Sequence, residues 1–155
     1  MPSGTVTRSA SLARTAVDTS VLVAALVDWH DEHERARRAL DRALADPPVV
    51  VPQHALLEAY SVLTRLPAPH RLSPSTAVDL LEQTLRGAAD LPVLPPEDAW
   101  TFLAHLRDQD VAGGTSYDAL IVESADRAGA RTILTLNRRH FERLTQEMEI
   151  EALTP

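Results

Sequence analysis

At 155 residues the chain is long enough for one sizeable core and too short for two ordinary domains, and 45% hydrophobic with 24% charged residues is a globular composition. It has no cysteine, which excludes disulfide frameworks, thiol nucleophiles, zinc–cysteine sites and iron–sulfur clusters, and all fifteen Lys+Arg positions are arginine, which excludes Schiff-base and phosphate-loop lysines. A net charge of −7 argues against non-specific nucleic-acid binding through a broad basic surface, though not against a local basic patch or a metal-neutralised acidic site, and no apolar run approaches the ~20 residues that span a bilayer.

The first 14 residues, MPSGTVTRSASLAR, are rich in Ser, Thr and Arg and lack the apolar stretch of a secretory signal. They read as a loose tail before a single domain over 15–155. Thr15, Ala16 and Val17 read as a short buried strand, and Thr19 or Ser20 as the cap of a helix that begins at Val21. Asp18 falls at the strand's C-terminal end, where open α/β sheets place their ligand sites. Read by itself, the residue is better explained as a helix-capping aspartate. A polar loop over 28–33 leads into an amphipathic helix with Ala36, Ala39, Leu40, Ala43 and Leu44 on one side. His30 and His33, with Asp28 and Asp31, show no third-ligand pattern and read as a solvated helix entry.

VVV at 49–51 predicts a second buried strand, and Pro52 opens a helix on which His54 and Glu58, four apart, share one side. Glu58 thereby approaches the sheet edge that carries Asp18. After the Pro-rich connection at 67–75, Ser73 or Ser75 caps a helix from Thr76 to about Leu85, which with its predecessor is expected to form an arm. LPVL at 91–94 predicts a third strand, and the helix after it carries Trp100, Leu103 and Leu106 in an apolar stripe, Trp100 as core or interface anchor. Thr115 or Ser116 is expected to cap a helix with Asp118 in its first turn. RTILTL at 131–136 predicts a fourth strand with Asn137 at its C-terminal end, beside Arg138, Arg139 and His140 in a short last helix, and MEIEAL an edge strand.

Strands alternating with helices predict a parallel sheet covered on both faces. Asp18, Glu58, Asp118 and Asn137 then collect on one side. Carboxylates gathered in one crevice repel one another, a cost that a divalent cation relieves, and hard oxygen ligands suit Mg²⁺ or Mn²⁺.

The segments AVDTSVLVAAL, VVVPQHALLEAYSVLTRL, TSYDALIVESADRAGA and TILTLNRRHF, in this order, resemble the PIN-domain nucleases and, among them, the VapC-type toxins of bacterial toxin–antitoxin pairs. The resemblance implies a PIN-like three-layer α/β/α sandwich around a four- to five-stranded parallel sheet. It further implies Mg²⁺- or Mn²⁺-dependent RNA cleavage, a homodimer, a bacterial cytoplasmic location, and inhibition by a small VapB-type antitoxin that inserts peptide into the acidic groove. Carried over by position, Asp18, Glu58 and Asp118 are the acidic ligands, and Asn137 stands where the family often has a fourth acid. A neutral carbonyl oxygen there predicts one firmly held cation. In this reading Asp18 and Asp118 contact the metal, Glu58 binds it or orients water, Asn137 positions water or phosphate, Thr19 or Ser20 supports the site through a hydroxyl, and Arg138 and Arg139 meet RNA phosphates. A haloacid-dehalogenase-type phosphohydrolase is disfavoured, because Ser20 stands where that family has a second aspartate and no lysine is present. A PIN-fold module that binds RNA or protein without cutting is the remaining alternative.

Overall fold

The computed structural model describes residues 13–155. Among them, β1 (Arg14–Val17), β2 (Val49–Val50), β3 (Ala89–Asp90), β4 (Ala130–Leu134) and β5 (Glu151–Leu153) form one sheet in the order β3-β2-β1-β4-β5, every pair parallel. Parallel neighbours need long crossovers, and the helices supply them: α1 (Thr19–Leu26), α2 (His33–Ala45), α3 (Gln53–Arg65), α4 (Pro74–Leu85), α5 (Ala99–Asp108), α6 (Thr115–Arg127) and α7 (Arg138–Leu144).

Side chains alternate across a strand, so the central β1 feeds both cores. Val17 belongs to a buried cluster with Val21, Leu22, Leu40, Leu63 and Leu81, from α1 to α4. Its neighbour Ala16 belongs to a second cluster with Ile121, Val122, Ile133 and Phe141, from α6, β4 and α7. The result is the expected three-layer sandwich. α1, almost wholly apolar, is buried nearly all round, as a helix without a polar face must be. α2 instead buries Ala36, Ala39 and Leu40 and turns its arginines outward.

The chain steps outward from β1 to β2 and β3, then crosses back to place β4 on β1's other side. The crevice beyond the C-terminal ends of β1 and β4 is therefore the topological switch point of the sheet. Register sharpens this: Val17 pairs with Leu134, so Asp18 and Thr135 leave the sheet side by side, and the Asp18 N–H donates to the Leu134 carbonyl at 3.1 Å.

Several local expectations change. Arg14 is the first residue of β1, donating to the Ala128 carbonyl and pairing with Asp90; residues 1–12 lie outside the described part. The third strand is Ala89–Asp90, just before LPVL. Pro92 has no N–H to give a ladder, and its carbonyl instead accepts from Gln53 N–H at 3.0 Å. α1 starts at Thr19 with Asp18 itself as N-cap. Ser73 caps α4, which starts at Pro74 and buries Ala77, Leu81 and Leu85, so the α3–α4 pair is packed on the core rather than standing off as an arm. Thr115 and Ser116 lie within the first turn of α6, with Gly114 at the cap. Trp100 is 81% exposed and is no core residue; α5 buries Leu106. His33 donates to the Ala24 carbonyl at 2.9 Å and His30 Nδ1 accepts from Glu32 N–H, so both histidines serve the α1–α2 turn. Among the described residues, no helix is long and apolar enough to cross a membrane.

Candidate active site

Asp18 is only 3% exposed. Its Oδ1 accepts from Ser20 Oγ at 2.7 Å and from Val21 N–H at 3.1 Å, and its Oδ2 from Thr135 Oγ1 at 2.8 Å. Capping α1 and occupying the sheet's ligand edge are thus one arrangement, since the same carboxylate does both. Burial pushes its pKa up to about 6, with a smaller upward push from the charge of Asp118, against the opposing pull of the hydrogen bonds from Ser20, Thr135 and Val21. Desolvation wins over three donors because a carboxylate sealed from water loses more than those bonds return.

Asp118, on the first turn of α6, is the second acid of the crevice. Its Oδ2 lies 2.8 Å from Nε2 of His140 on α7. Glu58, half-buried on α3, has His54 Nε2 at 3.7 Å from Oε2, and the His54 ring stacks on Tyr117 with centroids 5.1 Å apart and planes 9° from parallel. Among the described residues, no three His, Asp or Glu side chains converge closely enough to hold a metal ion. The structure therefore brings Asp118 within electrostatic reach of Asp18, with no tight three-ligand cluster among the described residues.

The remaining candidates divide. Ser20 joins the site directly, donating to Asp18 and accepting from Leu136 N–H at 2.9 Å. Thr19 is buried with its hydroxyl toward the Ala55 carbonyl, 3.5 Å away on α3, so it packs rather than supports the acid. Asn137 is exposed at the start of α7; its backbone N–H donates to Thr135 Oγ1 at 3.0 Å and its side chain makes no cap. Arg138 and Arg139 are exposed beside it, Arg138 pairing with Glu142 at 2.6 Å.

Two residues of the site escaped the sequence reading. Thr135 is fully buried, and a buried hydroxyl must find partners, yet within RTILTL it reads as an ordinary strand former. His140 was visible only as a neighbour of the arginines; its position three residues after Asn137, one turn along the same helix, was the available clue.

Two aspartate carboxylates, one strongly desolvated, form a hard-oxygen set of the kind Mg²⁺ uses when it keeps several waters. The donor chemistry fits such an ion.

Residues 15–147 match the PIN domain family. The chain belongs to that family. Over 141 residues, 87% of this chain and 97% of the relative, the PIN domain is 43% identical to Ribonuclease VapC40 of Mycobacterium tuberculosis. Ribonuclease VapC27 of the same species is 37% identical over 110 residues, 71% of this chain and 75% of its own length. These relatives make it a PIN-domain protein of the VapC type. Among solved structures, M. tuberculosis VapC20, described as a Sarcin-Ricin loop cleaving toxin, shares the fold with a TM-score of 0.65 at 18% identity, covering 88% of this chain and 98% of that one. VapBC2 from Rickettsia felis, bound to a DNA fragment from its promoter, gives a TM-score of 0.62 at 14% identity, covering 91% and 98%.

Proposed function

We propose that this PIN domain is a Mg²⁺- or Mn²⁺-dependent endoribonuclease and the toxin of a VapBC-type toxin–antitoxin pair. The observation that carries the reading is the Asp18–Asp118 pair at the sheet's switch point, in which Asp18 is buried and its pKa is pushed up to about 6. A carboxylate so placed is unstable as an anion by itself and is relieved by a cation. Asp18 and Asp118 would hold the metal, which when bound supplies a lowered water pKa and charge for the phosphate oxygens. Ser20 and Thr135 hold the Asp18 carboxylate in place. Glu58, reached by His54, orients the attacking water, and the Asn137 carboxamide with Arg138 and Arg139 meets the phosphates at the mouth.

RNA as substrate is supported by the ribonuclease relatives, and a VapB-type antitoxin by the VapBC neighbour. The same reading includes a homodimer and a place in the bacterial cytoplasm. The test uses purified protein and a labelled RNA pool. Cleavage should need Mg²⁺ or Mn²⁺, stop with EDTA, return with Mn²⁺, and be lost in Asp18→Ala and Asp118→Ala; wild-type rates in either variant would sink the assignment. Asn137, neutral and exposed, favours a second reading as a module that binds without cutting. Retained RNA at saturating Mn²⁺ with no cleavage would identify it.

A further inference from the structure

α7 brings one side chain to the acid pair, and it is His140. An ionised carboxylate accepts only, so the 2.8 Å contact with Asp118 Oδ2 is donated by His140 Nε2–H. Both side chains are partly buried, which shields the bond from competing water. The ring is held from behind: its backbone N–H donates to the Asn137 carbonyl at 3.1 Å, and it meets the buried Phe141 edge-on, centroids 5.9 Å apart. Asn137 N–H in turn donates to Thr135 Oγ1, whose own hydrogen goes to Asp18. The two acids, one just beyond β1 and one on α6, are thus joined through a single turn of α7. At the position where a fourth acid was expected, Asn137 lends its backbone to this link and His140 supplies the side chain.

We infer that His140 is a positioning residue for the metal-binding pair: by donating to Oδ2 it fixes the Asp118 carboxylate relative to Asp18 and leaves Oδ1 uncommitted. This rests on the metal-dependent reading above. An aspartate on a helix's first turn has several accessible rotamers, and ordering it on binding a cation costs free energy that a prior hydrogen bond has already met. Partners that orient a ligating side chain typically change metal affinity ~10–100-fold.

Two polar variants separate positioning from simple packing. In His140→Gln the amide nitrogen reaches about as far as Nε2; in His140→Asn it stops near Nδ1, short of Asp118. Mn²⁺ binding to the RNA-free protein, followed by calorimetry and by the electron paramagnetic resonance signal of free Mn²⁺, should weaken about tenfold or more in His140→Asn and stay within roughly threefold of wild type in His140→Gln. Thermal midpoints in EDTA should be alike for the two variants. Wild-type affinity in His140→Asn, or equal weakening in both, overturns the inference. So does a fall in the EDTA midpoint of His140→Asn that tracks its loss of affinity, which would make the contact a plain pin between α6 and α7. A wild-type protein that binds no Mn²⁺ removes the metal reading and this inference together, whereas tight wild-type binding that His140→Asn leaves intact removes this inference alone.

Discussion

The folded-state pKa of Asp18, about 6 against an ordinary 3.8, has a sign that can be tested. A raised value means the folded protein holds its proton more tightly than the unfolded chain, so the residue's contribution to stability is full below about 3.8 and is lost as pH rises through about 6. At ~1.4 kcal/mol per pKa unit the loss is on the order of 3 kcal/mol. Asp18→Asn, measured by denaturant unfolding in EDTA, should therefore gain up to about 3 kcal/mol relative to wild type between pH 4 and pH 7.5, on top of a constant offset from replacing one acceptor oxygen by an amide donor; a difference independent of pH would refute the burial cost. Proton and cation compete for the same oxygens, so Mn²⁺ affinity by calorimetry should drop between pH 7.5 and 5.5. Asp18 was legible in the sequence because a strand end followed by a capped helix is a local pattern. Its partner Thr135 was not, because the two are 117 positions apart and only the register of β1 with β4 joins them.

At the scale of elements, a short helix carries a large share of the site. α7 has seven residues and buries Phe141, and its entry depends on the Thr135 hydroxyl, which accepts from Asn137 N–H and donates to Asp18. Thr135→Val keeps the shape and strands both partners, so it should cost about 1–3 kcal/mol and reduce RNA cleavage, while Thr135→Ser should retain most of both; equal losses in the two variants would show that the methyl group, not the hydroxyl, matters. α5 offers a contrast. The periodicity of its apolar residues specifies a helix, but which face is buried depends on what the helix meets. Leu106→Ala should destabilise by about 2 kcal/mol or more and Trp100→Ala by less than about 0.5 kcal/mol, as unfolding midpoints would report. The third strand was misplaced for a related reason. Apolar composition marked LPVL, whereas hydrogen bonding selected Ala89 and Asp90, where N–H and carbonyl groups meet β2 and Pro92 does not interrupt.

For the molecule as a whole, strand–helix alternation made the parallel sheet and its two helical layers legible, because parallel neighbours must be joined by crossovers. The strand order was beyond any local pattern, since it depends on which side of β1 the chain returns to after β3. Exposed Trp100, Leu57, Tyr117 and Val93 leave apolar surface for partners. If the homodimer is right, light scattering should give a mass near twice 16.9 kDa, and a monomer at micromolar concentration would rule it out. The central place of β1 also sets an order in time. A chain made from its N-terminus presents Asp18 early, but that carboxylate gains its neighbour only with residue 118 and its hydroxyl support only with residue 135 of 155. Domains complete themselves as synthesis delivers their parts, so for most of the chain's synthesis Asp18 still lacks the charge and the hydroxyl that complete its site.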